Sequence, residues 1–579
     1  MIQSLLRPVR FARFAALPLF PLLAACATGP QVQTGENVTV GVLAINDFHG
    51  AIEPPRLSLT VADGKGGTVA VPAGGGAYLA SAVDATRAAY AHSVTVSAGD
   101  LISASQLASS IYLDEPAIGV ANRIGLDFNA VGNHEFDRGR EELLRMQNGG
   151  CAQHTPRQPC AVEQFEGARF RFLAASTFTE TGKTLFPPYT IRSFGSGARA
   201  VQVGVIGLTL KATPSLVSPS GIKGLRFADE AASINALVPE LKQQGVDAIV
   251  VLIHQGGQQG EGGLPDTCMA FTGEIRPILD QLDPRVDVVV SGHTHRSYVC
   301  DYGQINAAKP FLLTSAEKNG MMLTDITLEI DPAAGRVVTK RARQVPVQSA
   351  PYSGGRGTVA NSAAVPVYAP REDVAAYVQT YTAAAQAFSS RSAGLLAAPA
   401  SGQALAMLIA DAQLAATRSA GAQIAFMNPF GVRAPLNPGA GGALTFGDIY
   451  AVQPFNNTLV TQSLTGAELK AVLEQGFDAT GPEQALIPSA GFSYRYDRTR
   501  PVGQRIVAMS LNGQPIDPNG MYRVTTNSFL AQGGDAFTVL SGQRTAQIGV
   551  SDLEALEAWL KGTAPRAVPG EVRVSEAGR

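Results

Sequence analysis

Five of the seven histidines in this chain stand where short apolar runs end, and that placement restricts the fold more than any bulk property. Val38–Ile45 stops at Asn46-Asp47-Phe48-His49-Gly50, and His92–Ala98 runs into Gly99-Asp100. Phe128–Val131 leads to Gly132-Asn133-His134-Glu135-Phe136-Asp137, Val246–Ile253 to His254-Gln255-Gly256-Gly257, and Val286–Val290 to Ser291-Gly292-His293-Thr294-His295. Apolar runs of this length read as strands, and helical patterns such as Ala228–Gln244 lie between them. The alternation predicts an α/β fold that gathers polar side chains in the loops at strand ends. His92 and His154 fall outside these motifs and read as structural.

Within Gly132–Asp137 an amide, an imidazole and a carboxylate follow one another closely. An amide oxygen can ligate a hard cation, the histidine beside it can meet a substrate oxygen, and a carboxylate three residues on can orient the imidazole. Read alone, the hexapeptide is also compatible with a Gly-Asn turn and a capped helix. Together, Asp47, His49, Asp100, Asn133, His254, His293 and His295 form a mixed oxygen and nitrogen donor set. Such a set suits two divalent cations such as Mn, Zn, Co or Fe, with Asp100 as the bridging candidate.

At 579 residues the chain exceeds one ordinary core, and its net charge of −2 argues against a nucleic-acid polymer as partner. No protein partner is expected from the sequence. Arg7, Arg10 and Arg13 precede the apolar run Phe14–Leu23, and Leu23-Ala24-Ala25-Cys26 follows. This is an export signal too short to span a bilayer. It resembles a bacterial lipobox, which implies lipid on Cys26, a tether over 27–37, and a periplasmic or cell-surface lipoprotein. Ala27 after the cysteine favours the outer membrane.

Four cysteines remain: Cys151, Cys160, Cys268 and Cys300. An even number suits an oxidising compartment. Of the three connectivities, Cys151–Cys160 with Cys268–Cys300 is preferred, because the first pair closes a short proline-containing loop.

Beyond the strand-like Met321–Ile330 the composition shifts. Val345–Pro370 is rich in Pro, Gly, Ser and Ala, and Arg371–Ser390 reads as a helix. A linker and connector over 345–394, a hinge within Val345–Ser390, a second domain over 395–566 and a loose tail over 567–579 are expected.

The motifs Asn-Asp-x-His, Gly-Asp, Gly-Asn-His-Glu-Phe-Asp and Gly-His-Thr-His, in this order, resemble the calcineurin-like metallophosphatases. The Glu-Phe-Asp extension and the long C-terminal region are similar to the exported 5′-nucleotidase and UDP-sugar hydrolase branch. The resemblance implies a four-layer α/β/β/α metallophosphatase domain over 38–344 and a smaller C-terminal α/β nucleotide-binding domain, joined by a helical connector. It assigns one metal to Asp47, His49, Asp100 and His295, the other to Asp100, Asn133, His254 and His293, and makes His134 and Asp137 the catalytic dyad.

Phe529-Leu530-Ala531-Gln532-Gly533-Gly534-Asp535 is similar to the family's base-binding signature, and Phe455 matches the opposing aromatic. Stacking on two phenylalanines is worth ~1–3 kcal/mol per ring and tolerates any base. Asn428-Pro429-Phe430-Gly431-Val432-Arg433 resembles the phosphate-gripping loop, with Asn428 and Arg433 as substrate-binding residues. Two departures stand out. The segment Ala404–Ala412 lacks the arginines the family often carries there, and Pro429 and Phe430 replace small residues.

The expected activity is metal-dependent hydrolysis of 5′-nucleotides. Alternatives are UDP-sugar or dinucleotide pyrophosphate hydrolysis, 2′,3′-cyclic phosphodiesterase action, a thiosulfohydrolase-like activity, or a non-catalytic surface-binding lipoprotein.

Overall fold

The structure is a computed structural model that describes residues 36–577 apart from 156, 218, 355–356, 456, 479–482 and 542–545. The export signal, Cys26 and most of the tether lie outside the described residues.

Two six-stranded sheets face each other. The first runs, edge to edge, Arg336–Pro346, Met322–Asp331, Val38–Ile45, Ser93–Ser97, Phe128–Ala130 and Arg171–Leu173. The second runs Ser297–Asp301, Leu312–Ala316, Val288–Ser291, Ala248–Ile253, Val201–Leu208 and Tyr189–Phe194. Val40, Val42 and Ala44 pack inward against Val203, Val205, Val250 and Val290 of the facing sheet. Leu43 and Ile45 point outward to the helices Gly76–Arg87 and Glu115–Ile124. Burial on both faces explains why these strands read as continuous apolar runs rather than alternating ones. On the second sheet's outer face, Ile206, Ile249 and Val251 meet Ile234, Val238 and Leu241 of the helix Glu230–Gln243. Helices therefore cover both outer faces, giving the four layers expected.

Parallel pairing sets the rim that carries the motifs. Ile45 pairs with Ser97, Val96 with Phe128, and Ile253 with both Leu208 and Ser291. The loops after these strands consequently open on the same end of the sandwich.

Among the described residues the second domain holds a five-stranded and a four-stranded sheet, and a two-stranded one that pairs Ser392–Leu395 with Ala443–Thr445. Ile424–Met427 and Met521–Asn527 pair in parallel at the centre of the first, backed by the helix Gly402–Thr417. Leu107 of the metal domain packs into this domain's core beside Leu405 and Phe446.

Three expectations need correction. Val345 pairs with Leu323 inside the first sheet and Val347 is fully buried, so the stretch expected as linker from residue 345 begins as sheet. The connector helix, Glu372–Ser389, buries Val374, Tyr377 and Tyr381 in the metal-domain core, which its apolar spacing permits, so most of the expected hinge region is docked. The tail is not loose: Val574–Glu576 adds a parallel strand beside Phe492–Tyr496, and Arg573, 4% exposed, is bonded to Asp411 at 2.7 and 2.9 Å. A buried ion pair needs its partner in place, and this one ties the terminus down.

Disulfides join Cys151 to Cys160 and Cys268 to Cys300, the preferred pairing. Among the described residues no helix is long and apolar enough to cross a membrane.

Candidate active site

Asp47, His49, Asp100, His293 and His295 all adopt left-handed backbone, with φ between 48° and 70°. Each such non-glycine residue costs about 1–3 kcal/mol, and five at one rim mark a place where the surroundings enforce geometry. Enforcement is visible in the backbone: Asp47 N donates to Gly99 O at 3.0 Å, His49 N to Asp100 O at 2.9 Å, and Asn319 N to Asp47 O at 2.8 Å. Two motif glycines are required by space. A Cβ on Gly99 would stand 2.6 Å from His254 Nδ1, and one on Gly132 would collide with Asp100 Oδ1.

The side chains form two groups, Asp47 with His49 and His295, and Asp100 with His254 and His293. Within each group the potential ligand atoms lie within 4.8 Å of one another. Asp100 Oδ2 faces both, 3.0 Å from His254 Nε2 and 3.8 Å from His49 Nε2. Asn133 Oδ1 is 3.1 Å from His254 Nε2, and His49 Nε2 is 3.0 Å from His295 Nε2.

The imidazole orientations explain what this crowding is for. His49 Nδ1 lies 2.9 Å from Ser103 O and His254 Nδ1 2.8 Å from Ala98 O. A carbonyl only accepts, so Nδ1 carries a proton and each ring turns its Nε2 toward the cluster; burial disfavours the His254 imidazolium, but Asp100 outweighs it and raises that ring to about 10. Nε2 of His49 and of His295, Asn133 Oδ1, His254 Nε2 and the fully buried Asp100 Oδ2 thus converge on one space. This mixed nitrogen and oxygen donor set would ligate a divalent cation in each group, so the residues present fit two ions.

Titration follows the same crowding. Burial pushes the Asp47 carboxyl up to about 7, with His254 opposing and Asp100 adding to the shift. Burial also works against ionising Asp100, but His254, His134 and His49 outweigh it and hold that carboxyl well below the usual range. His293 is lowered to about 3, first by burial and then by His254.

His134 opens a single 3₁₀ turn, His134–Phe136, and its backbone N donates to Asp100 Oδ1 at 2.9 Å. The turn brings Asp137 Oδ2 to 2.7 Å from His134 Nδ1. Burial disfavours the imidazolium, yet Asp137 and Asp100 together outweigh it and raise the His134 pKa. With Nδ1 held by Asp137, Nε2 is the nitrogen left to meet a ligand.

Sequence reasoning missed two residues. Glu135 is 2% exposed and accepts the backbone N–H groups of Gly132 at 2.7 Å, Leu101 at 2.8 Å and Asp100 at 3.0 Å. It therefore fastens the Gly-Asp loop to the Gly-Asn-His loop. Asn46 donates to Asp47 Oδ2 at 2.7 Å and accepts from Ala316 N at 2.6 Å. The available signal was an acidic or amide residue inside an otherwise buried motif, where an unpaired polar group would be costly.

The second domain completes the site. A cavity of about 720 Å³ is lined by Asp100, Asn133, His134 and His293 from one side and by Arg433, Phe455, Phe529 and Asp535 from the other. Asn428 also lines it and donates to Asp535 Oδ2 at 2.9 Å, while Asn527 donates to Asn428 Oδ1 at 3.1 Å. Burial raises the Asp535 carboxyl against these bonds. The Phe455 ring lies 5.9 Å from the His134 ring, nearly parallel at 10°, and the Arg433 guanidinium sits 5.9 Å from the Phe455 centroid. Phe430, 48% exposed, stands at the cavity's margin.

Residues 41–297 match the calcineurin-like phosphoesterase family, and residues 380–542 match the 5′-nucleotidase C-terminal domain. On the two matches together the chain belongs to the calcineurin-like metallophosphatases that carry a 5′-nucleotidase C-terminal domain. It is similar to a 5′-nucleotidase precursor from Thermus thermophilus, at 26% identity and a TM-score of 0.72, over 93% of this chain and 100% of that one. It is 24% identical to a probable 5′-nucleotidase of Treponema pallidum (strain Nichols), over 88% of this chain and 89% of that protein. It is 30% identical over 546 residues to endonuclease YhcR of Bacillus subtilis (strain 168), which covers 92% of this chain but 40% of that longer protein.

Proposed function

We propose that this protein is an exported 5′-nucleotidase that binds a nucleotide across its two domains and releases nucleoside and inorganic phosphate. The observation that carries this reading is the cavity in which the metal-ligating groups of one domain face Phe455, Phe529 and Asp535 of the other.

Asp47, His49, Asp100 and His295 would hold one cation, and Asp100, Asn133, His254 and His293 would hold the second. Bound divalent cations supply Lewis acidity toward phosphoryl oxygens and make the attacking water a better nucleophile. Arg433 grips the phosphate, its planar guanidinium suited to two oxygens. His134 gives a hydrogen bond, and finally its proton, from Nε2 to the phosphoryl oxygens or the departing nucleoside 5′-oxygen as charge accumulates there. Asp137 keeps that imidazole in the required tautomer. Phe455 and Phe529 take the base by its faces, which sets no strong preference among bases. Asp535 accepts from the nucleoside.

Manganese, zinc, cobalt and iron all suit the donor set. The arginine-free helix Gly402–Thr417 leaves Arg433 as the principal phosphate grip, and Phe430 narrows the approach. Lipidation at Cys26 with an outer-membrane location belongs to the same proposal, supported by the lipobox-like sequence.

The test is product release from AMP, UMP, UDP-glucose, NAD and bis(p-nitrophenyl) phosphate by the purified protein, with each metal or a chelator, for wild type and His134→Ala. Metal-dependent AMP hydrolysis lost in the variant supports the reading. Activity confined to diesters or pyrophosphates replaces it with those alternatives, and turnover of a thiosulfonate without any nucleotide overturns it.

A further inference from the structure

A continuous hydrogen-bonded chain crosses from the metal domain into the substrate domain beside the dyad. Arg138, the residue after Asp137, donates from Nη2 to Ser110 Oγ at 3.0 Å. Ser110 Oγ is bonded in turn to Tyr450 Oη of the substrate domain, and Tyr450 Oη lies 2.9 Å from the carbonyl of Pro454. A carbonyl only accepts, so the phenol proton goes to Pro454, Ser110 gives its hydroxyl proton to Tyr450, and Arg138 supplies the N–H that Ser110 accepts. Aligned this way, each bond polarises the next. Pro454 precedes Phe455, whose ring lies 5.9 Å from that of His134.

The other end of the chain reaches the metal cluster. Arg138 Nη1 is bonded to Asp114 Oδ2 and donates to Ser103 Oγ at 3.2 Å. Asp114 Oδ2 accepts from Ser103 N at 3.0 Å, and Ser103 O holds His49 Nδ1 at 2.9 Å. Tyr450 and Ser110 are 1% and 3% exposed, so severing the link leaves a polar group without water.

We infer that Ser110 and Tyr450 are a latch, a pair of positioning residues that hold the substrate domain closed with Phe455 over the dyad. The inference rests on the nucleotidase reading for its kinetic arm only. Opening the latch moves the closed-open equilibrium, and substrate, which binds across both domains, restores closure at saturation. The effect therefore falls on KM and spares kcat.

The test uses full-length Tyr450→Phe and Ser110→Ala variants, with Ser110→Thr as the conservative control. Spin labels at the exposed Arg199 and Lys561 report the interdomain distance without substrate. Tyr450→Phe and Ser110→Ala are expected to shift the distribution toward longer distances, and Ser110→Thr to restore it. For AMP, KM is expected to rise about 5- to 10-fold with kcat within about 2-fold, the size of one lost buried hydrogen bond. An unchanged distance distribution overturns the latch whatever the substrate proves to be. A fall in kcat at constant KM overturns it too, because that pattern marks damage to the catalytic groups. A shifted distribution in a protein inactive on AMP supports the latch and rejects the nucleotidase reading alone.

Discussion

His134 Nδ1 lies 2.7 Å from Asp137 Oδ2, and the one 3₁₀ turn between them makes this contact local to the chain while Asp100, bonded to His134 N, anchors it to the candidate metal site. The His134–Asp137 pair is thereby tied to the Asp100 loop. Its orientation does not depend on which way the substrate domain faces.

Replacing Asp137 with Asn retains shape and removes charge. Burial alone disfavours the imidazolium, and Asp137 is the leading counterweight. The variant is expected to lose about 10²- to 10⁴-fold in kcat on AMP, the range for a positioned proton donor. Steady-state kinetics with bound metal checked before and after would read this; retained kcat would remove Asp137 from the dyad.

Glu135→Gln should disturb metal binding without touching a ligand. Glu135 satisfies three backbone N–H groups of two ligand-bearing loops, and an amide must turn its NH₂ group toward some of them. Metal affinity is expected to fall about 10- to 100-fold. Elemental analysis after dialysis against graded chelator gives the number, and unchanged retention would show that the loops hold themselves.

Phe529→Ala removes a stacking face at the nucleotide end of the cavity. A loss of ~1–3 kcal/mol is expected in AMP binding, with ribose 5-phosphate, which has no base, affected far less. Parallel kcat/KM measurements on the two substrates distinguish base recognition from core packing, since a packing role would lower both together.

Asp114 supplies a pH signature. Burial would raise its carboxyl, but Arg138 and the serine hydroxyls outweigh burial and lower it below the ordinary value. A depressed carboxylate stabilises the fold above its unfolded pKa of about 3.9, and the contribution is lost as pH falls through the lower folded value. Asp114→Asn, which also removes the partner of the partly buried Arg138 charge, should cost about 1.5–3 kcal/mol near neutrality. The gap between wild type and variant should narrow below about pH 4, as followed by urea unfolding; a gap constant with pH would mean the charge contributes nothing.

Much of the candidate site was legible in the chain because strand ends and polar clusters are coupled locally. An apolar run followed by a polar cluster needs only periodicity to be recognised, and Val38–Ile45 begins and ends where the sequence places it. The connector and tail were misread for the converse reason. Whether Arg371–Ser390 links domains or packs on one depends on Gly119 and its neighbours hundreds of residues away, where a Cβ would collide with Tyr377 Oη. The tail's polar residues likewise gave no sign that Arg573 would find Asp411.

The sequence by itself determined the donor types, their order, the α/β class and the four cysteines available for pairing, since these rest on residue chemistry and short-range periodicity. Only the tertiary structure decided which donor atoms come within 4.8 Å of one another, that Glu135 and Asn46 hold their loops, and that Tyr450 reaches Ser110 across the domain boundary. Those relationships join residues as much as 340 positions apart. They depend on strand register and domain docking, which arise from packing complementarity summed over the whole core and leave no local trace in the chain.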